Sequence, residues 1–561
     1  MTTEQQVPEW ADPAVPVEEL DAQGVSRRNL IRGAGMLGAG FAAAGIARAG
    51  GAAAATTGTA YGVGAGGSAY EGELAWLVGD HHVHSRYSHD AKYDFTQLAQ
   101  RGAQFGLDWM AFTEHSNFGH ADKGAQAENA EVVKARAENP RMLIFQGLEW
   151  YIPAAEHGTL LVAPGPNNVA LLQQFEREYD GKLTNRSADT AENEVHAVKA
   201  LQWLAQQKQS RYVDDVLVLA NHPLRLGIDA PHELRAWRDT GVCIGMEGAP
   251  GSQGEADPAW VAYRGSTNAQ RGEYVNNPGT GSFAGYPVDA YRTYGGFDWA
   301  TATVGGLWDS MLAEGKLFSI SSNSDNHRTI WDTWKDGEFP AGQNFDSLGW
   351  KPSPTDSGVP QAGSDFWPGQ FSRTHVGVTR YGYLDVMAGL RAGRVWVDHG
   401  QLVDGIDVRV APVGSKQRGV TLGGRLTVSR NERLELRVTV TSATRPNFHG
   451  VLPQLANLDV IRGAVTGQVS NRDTWKAPDT RVVEQVDVSR KSGTYSLRIP
   501  LGRAERSHYV RVRGSDGRRN GPGYLGRKID PAGPIQHPVN DGDPWLDTWL
   551  YTNPVFVDVR H

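Results

Sequence analysis

Residues 76–90 read Trp-Leu-Val-Gly-Asp-His-His-Val-His-Ser-Arg-Tyr-Ser-His-Asp. If residues 76–84 are extended, side chains alternate between the two faces of the strand. Asp80, His82 and His84 then point one way, and His81 and Val83 the other. Two imidazoles at i and i+2 converge on one point, a common way to grip a transition metal, and Asp80 stands where it could receive a ring N–H and orient the ligand. A His-x-His pair arises easily by chance in exposed or core positions, so the reading gains its weight from residues farther along the chain.

Downstream, apolar runs alternate with helical patterns. Asp94 to Gly106 has helical spacing (Phe95, Leu98, Ala99, Phe105) and ends on a glycine suited to a helix C-terminus. Leu107 to Phe112 reads as a buried strand that delivers Thr113-Glu114-His115. A charged helical segment, 124–138, precedes the apolar run 141–148, which ends in Glu149. His157 and Leu160-Leu161-Val162 come next, then a helix over 191–207 carrying His196. The strand 216–220 ends in Asn221-His222-Pro223, the run 242–246 ends at Glu247, and 317–321 runs into Asn323-Ser324-Asp325-Asn326-His327. This rhythm predicts a parallel α/β arrangement, in which functional groups collect at the C-terminal ends of the strands. The polar residues fall at those ends.

Two segments, 248–296 and 328–373, break the rhythm with Gly, Pro, Asn, Tyr and Trp, including Trp331, Trp334, Trp350 and Trp367. Such residues either roof a site or pin their loops to the body of the domain. From about residue 405 the alternation is of period two (Leu434, Leu436, Val438, Val440; Tyr495, Leu497, Ile499), which predicts an antiparallel β domain over 405–561, a small sandwich closed by a strand at 549–557.

With 561 residues the chain exceeds one ordinary core, so two folded domains are expected. A net charge of -8 removes the electrostatic footprint of nucleic-acid binding. Cys243 is the only cysteine, which excludes an internal disulfide, and its apolar surroundings read as core. Near the N-terminus, Ser26-Arg27-Arg28-Asn29-Leu30-Ile31-Arg32 precedes a weakly apolar Gly/Ala run from Gly33 to Ala47. This resembles a twin-arginine export signal, with Ala47-Arg48-Ala49 as a cleavage site or a later cut at Ala52–Ala55. The run is too short and glycine-diluted for a stable membrane span. The expectation is a signal over 1–55, a flexible leader over 56–73, and an extracytoplasmic or secreted protein that uses the twin-arginine machinery as a partner.

Taken in order, Asp80-His81-His82-Val83-His84-Ser85 with Ser88 and Asp90, Thr113-Glu114-His115, Gly147-Leu148-Glu149, His157, Asn221-His222-Pro223 and Asp325-Asn326-His327 resemble the PHP (polymerase and histidinol phosphatase) family of metallohydrolases. The likeness spans residues 74–400. It implies a distorted (β/α)7 barrel with two or three divalent metal ions at its C-terminal face. The implied ligands are His82, His84, Asp90, His115, Glu149, His157, His222, Asp325 and His327, with Glu149 bridging two ions. Within that resemblance His82, His84 and Asp325 complete one ion, His157 and His222 the second, and Asp90, His115 and His327 the third. Glu114 stands where the family often has Asp, and His81 replaces a usual aliphatic residue.

Six imidazoles and three carboxylates suit Zn, Mn or Fe better than Ca or Mg. Clustered ions would hold a metal-bound hydroxide and draw in an anionic substrate. His89 offers an alternative to Asp90. Arg328 either contacts a substrate anion or forms an ordinary ion pair. His196, His449, His508, His537 and His561 read as structural. The leading expectation is an exported phosphoesterase acting on small phosphate mono- or diesters. A second keeps the metals but cleaves aryl carbamates or carboxylic esters, and a third is a secreted binding protein without catalysis.

Overall fold

A computed structural model describes residues 74–251, 276–329, 332–360, 365–448, 450–519, 525–535, 545 and 547–560. The twin-arginine motif, the leader, Trp331, His449, His537 and His561 lie outside the described residues. Among those described, no helix is long and apolar enough to cross a membrane.

The N-terminal half is a mixed α/β unit. Its strands are β1 (Ala75–Val83), β2 (Trp109–Phe112), β3 (Leu143–Tyr151), β4 (His157–Val162), β5 (Val216–Ala220), β6 (Cys243–Glu247) and β7 (Ser319–Ser321). The longer helices around them are α1 (Phe95–Gln104), α2 (Ala125–Glu138), α3 (Asn168–Tyr179), α4 (Ala191–Gln209) and α5 (Pro231–Asp239). The strands form because their runs are apolar on both faces: all five residues of β5, Val-Leu-Val-Leu-Ala, are buried, as a sheet covered on both sides demands. Helix α1 ends two residues before Gly106, which turns the chain at φ +82.

Neighbouring strands run parallel from β1 to β3 and from β5 to β7, but β4 is antiparallel to both β3 and β5. The all-parallel expectation fails here for a geometric reason. Only residues 152–156 separate β3 from β4, and a parallel crossover needs a dozen residues or more. Past β7 the chain returns to β1, where Asn326 makes a parallel bridge to Val83 and its carbonyl accepts the His84 N–H at 2.9 Å.

Beyond β1 the sheet continues through β8 (Ser372–Val378) and β9 (Val395–His399), both antiparallel additions, into strands of the C-terminal region. These are β10 (Val403–Pro412), β11 (Arg425–Ser429), β12 (Arg433–Ser442), β13 (Asn457–Ala464), β14 (Arg481–Asp487), β15 (Thr494–Arg503), β16 (His508–Ser515), β17 (Trp549–Thr552) and β18 (Val555–Arg560). One fifteen-stranded sheet follows the order β11-β18-β16-β17-β9-β8-β1-β2-β3-β4-β5-β6-β7, with β13 and β14 branching from β16. A second sheet holds β10, β12, β15 and the short strand Val420–Thr421. Val438 and Val440 of one sheet and Val460, Val512 and Val557 of the other share one buried cluster. The closing strand expected over 549–557 is two strands, broken at Asn553-Pro554, where proline has no N–H to donate to a ladder.

The break is used. The Asn553 side chain donates to the Ile320 carbonyl at 3.1 Å and accepts the Ile320 N–H at 2.9 Å, so its amide pairs with β7 as a neighbouring strand would. Nearby, Arg511 grips Asp309 with two bonds of 2.9 and 2.7 Å, both side chains wholly buried. The loop tryptophans pin rather than roof. Trp350 lies 5.6 Å from the Tyr87 ring and Trp367 4.6 Å from Tyr93, and with Trp334 they pack on the cluster formed by β1, α1 and β2.

Candidate metal centre

The ends of the strands bring nine side chains to one place. His82 and His84 come from the end of β1, Asp90 from the loop after it, and His115 from the loop after β2. Glu149 lies near the end of β3, His157 opens β4, His222 follows β5, and Asp325 and His327 follow β7. Because β4 runs backwards, its first residue lies at the same edge of the sheet as the last residues of its neighbours.

Glu149 is the hub. It is 2 % exposed, and its two oxygens stand 3.2 Å from His82, 3.3 Å from His84, 2.8 Å from His115, 3.0 Å from His157 and 3.5 Å from His222. Asp325 Oδ1 lies 3.1 Å from His82 Nε2 and 3.2 Å from His84 Nε2, and those two nitrogens are 3.0 Å apart. Ligands held about 2.0–2.1 Å from a tetrahedral ion stand about 3.3–3.4 Å from one another. The His82–His84–Glu149 and His82–His84–Asp325 triples are therefore each spaced as ligands are. Asp90 Oδ2 stands 3.3 Å from His115 Nε2 and 3.6 Å from His327 Nε2.

The tautomers point the same way. His82 Nδ1 donates to Glu247 Oε1 at 2.7 Å. Ser88 Oγ donates to Glu114 Oε2 at 2.7 Å and so accepts from His84 Nδ1 at 2.9 Å. Both rings are left with Nε2 lone pairs directed at the same spot. Asp325 Oδ1 and His115 Nδ1 are buried and make no well-directed hydrogen bond, although Asp325 Oδ1 stands 3.1 Å from His82 and 3.2 Å from His84 and His115 Nδ1 stands 2.8 Å from Glu149, an arrangement that a shared divalent cation would satisfy. The residues present fit bound metal.

Backbone strain marks the same positions. His222 and Asp325 adopt φ values of 28 and 47, in the left-handed region that costs a non-glycine residue about 1–3 kcal/mol. A Cβ at Gly251 would lie 2.6 Å from the Asp325 Cβ, so only glycine lets that loop pass.

Electrostatically the cluster sorts its groups. Burial works against charge on Glu149, but the imidazoles of His157, His82 and His115 hold its carboxyl well below the usual range. His115 is pushed up to about 10: burial opposes its charge, and Glu149 and Asp90 overcome that. Burial and the neighbouring His84 push His327 down to about 4.

Several partners escaped the sequence reading. Asp80 does not orient a ring; it accepts the backbone N–H groups of His82 and Ser324, at 3.2 and 3.1 Å. The ring is oriented by Glu247 instead, whose only sequence signal is its place at the end of an apolar run. His81 is buried, and neither ring nitrogen has a hydrogen-bond partner among the described residues. His89 is half exposed, 3.7 Å from Asp90, and reaches the margin of the cluster with it. Arg328 is exposed, while its backbone N–H donates to Asp365 at 2.9 Å. Tyr151, not anticipated, stacks on His115 with ring centres 5.6 Å apart and meets His157 edge-on at 4.6 Å. Lys182 lies 4.9 Å over the outer face of the same ring, and Arg225 donates to Glu156 at 3.0 Å beside His222. His196 donates to the Glu178 carbonyl away from the cluster, and Cys243 is buried.

The PHP domain model matches residues 80–226, which takes in His82 through His222. No curated protein matches the chain. Among solved structures, the chain is similar to a two-domain protein from Bacteroides vulgatus containing a predicted PHP-like metal-dependent phosphoesterase, at 14% identity and a TM-score of 0.33, over 85% of this chain and 100% of that one. It is also similar to a candidate metal-dependent phosphoesterase from Bifidobacterium adolescentis, at 16% identity and a TM-score of 0.17, over 30% of this chain and 76% of that one.

Proposed function

We propose that this chain is an exported, multinuclear metal-dependent phosphoesterase that hydrolyses small phosphate mono- or diesters on a distorted barrel formed by β1 to β7. The observation that carries the reading is Glu149, one buried carboxylate set among five imidazoles at 2.8–3.5 Å. A purely structural carboxylate would be satisfied by two or three donors, and the remaining imidazoles would be desolvated without return. Bound divalent ions would supply Lewis acidity toward the ester and an activated water.

The chain's own residues supply the rest. His82, His84, Glu149 and Asp325 would hold one ion. His157 and His222 would hold a second with Glu149, and Asp90, His115 and His327 a third. Glu247 and Ser88 fix the His82 and His84 rings by accepting hydrogen bonds from their Nδ1–H groups. Lys182, Arg225 and Arg328 put positive charge around the cluster, where an anionic ester would enter. Tyr151 gives the site one aromatic wall, and that wall favours the second reading, hydrolysis of an aryl carbamate or carboxylic ester.

Initial rates on an aryl phosphomonoester, an aryl phosphodiester and an aryl N-methylcarbamate, with and without chelator, decide between them. A chelator-sensitive rate on either phosphate ester, abolished by Glu149→Ala and Asp325→Ala, is expected. Turnover of the carbamate alone would establish the second reading, and no turnover of any of the three would leave a binding protein. Export is tested separately: replacing Arg27 and Arg28 together by Lys should leave the protein in the cytoplasmic fraction, and unchanged export would exclude the twin-arginine route.

A further inference from the structure

The rim of the metal centre carries a donor that stands outside the nine. After β1 the chain turns through residues 85–90, and this turn is tied down at Ser88, whose backbone N–H donates to the Ser85 carbonyl at 2.9 Å. The Ser88 hydroxyl donates to Glu114 at 2.7 Å and accepts the His115 N–H at 3.0 Å and the His84 Nδ1–H at 2.9 Å. With its neighbour fastened both to β1 and to the loop after β2, His89 has a set place beside the cluster. Its ring lies between the His115 ring, 5.2 Å away, and the edge of the Phe345 ring, 6.5 Å away.

Asp90 Oδ2 is where these side chains meet. Three imidazoles present Nε2 to that one oxygen, His115 at 3.3 Å, His327 at 3.6 Å and His89 at 3.7 Å. One ligand atom from each of His89, Asp90 and His115 lies within 4.8 Å of the other two. A carboxylate oxygen has lone pairs for two donors, so hydrogen bonding does not account for three rings gathered on it. An exposed imidazole–carboxylate pair contributes little by itself, so an ordinary ion pair does not account for His89 either. A cation does: the three separations lie within about 0.4 Å of those between ligands of one tetrahedral ion.

The rim differs from the interior in its access to water. His82, His84 and Glu149 are buried, whereas the His89 and Asp90 side chains are 53 % and 39 % exposed. An ion held among His89, Asp90, His115 and His327 faces solvent on one side, where a competing ligand can reach it.

We propose that His89 is a tenth metal ligand and that the rim position it completes is an exchangeable site, whose ion passes to and from the medium while the inner ions stay bound. This rests on the multinuclear reading of the cluster and deepens it. Three imidazoles and one carboxylate select a zinc-like ion over Mg or Ca, which take oxygen ligands.

The test is a competition titration of the full-length, zinc-loaded protein with a chromophoric chelator, with bound zinc counted by elemental analysis; the readout is metal content and is independent of which ester is cleaved. Wild type is expected to release one equivalent of zinc well before the rest. His89→Ala should weaken that equivalent at least about tenfold, the lower bound for losing even an outer-shell partner of a metal ligand. The remaining equivalents and the far-ultraviolet circular dichroism should not change, since the His89 side chain is half exposed. His89→Asp, which keeps a donor at that position, should restore most of the affinity. Release at the same chelator concentration in wild type and His89→Ala would overturn His89 as a ligand and leave the multinuclear reading standing. His89→Asp as weak as His89→Ala would overturn it too, because the ring would then matter for its packing. Release of all equivalents together from wild type would overturn the exchangeable site, and a wild type that holds no zinc would overturn the multinuclear reading and this site with it.

Discussion

At the scale of single residues, the cluster is built by orienting rings before any ion arrives. Glu247, at the end of β6, accepts a hydrogen bond from the His82 Nδ1–H, and Ser88, itself donating to Glu114, does the same for His84. Partners of this kind typically change metal affinity by about 10- to 100-fold when removed. Glu247→Gln is therefore expected to lose metal to a competing chelator at a concentration about 10- to 100-fold lower than wild type, with far-ultraviolet circular dichroism unchanged. Retention equal to wild type would show that the ring needs no such partner. The ligand positions are legible in the sequence because a strand's alternation and the ends of apolar runs are local patterns. Glu247 and Tyr151 are not, because nothing near them in sequence says which ring they will meet; His82 and Glu247 are 165 positions apart. Asp80 shows the converse error. It sits on the right face of the right strand, but the bond it makes is decided by Ser324, which arrives from the far side of the chain.

At the scale of elements, β8 and β9 join the two halves, and a small polar group sits in their ladder. Asp398 receives two bonds from Arg373, at 3.2 and 2.9 Å, and one from His375 Nε2 at 2.8 Å, while the His375 ring lies flat on Trp396 at 3.4 Å. Burial pushes His375 down to about 4 from 6.5. Asp398 is depressed as well: burial opposes its charge, but Arg373 and His375 outweigh that. Both groups bind fewer protons folded than unfolded, so both contribute stability that is present above pH 6.5 and is lost as pH falls. The His375 share alone is on the order of 3 kcal/mol, lost mainly between pH 6.5 and 4. Urea midpoints measured from pH 8 to pH 4 should fall across that window in wild type. His375→Gln should remove the part of the slope above pH 5, and an unaltered slope would place the acid sensitivity elsewhere. The strand β8 begins where the Gly-, Pro- and Trp-rich stretch 328–373 ends, and with six of its seven residues buried it shows no alternation that would set it off from that stretch. The antiparallel turn of β3 into β4 is hidden for a different reason: apolar runs do not declare their direction, and only the shortness of 152–156 does.

At the scale of the whole molecule, the two sequence patterns are real, and strands from both regions join in one sheet. The change of period near residue 405 is legible because it is local. The shared sheet is not, because β9 pairs with β17, Trp396 opposite Thr552, across a gap no pattern spans. Asp309 and Arg511 make the same join in the interior. Removing one partner of such a pair strands the other charge, so Arg511→Ala is expected to lower unfolding free energy by about 3–5 kcal/mol, read from urea denaturation. A change below about 1 kcal/mol would mean that water enters and solvates Asp309. A chain stopped at residue 404 would leave β9 with an open edge and β7 without the Asn553 amide, and it is expected to aggregate; a soluble, metal-retaining fragment would contradict this. The Asn553 clamp also sets an order of events. A ribosome makes residues 325 and 327 long before residue 553, so during synthesis the strand that leads to two of the clustered side chains waits, unclosed, until residues 549–560 have emerged. Closure of the strand that leads to the cluster is thereby tied to a residue 233 positions downstream of Ile320.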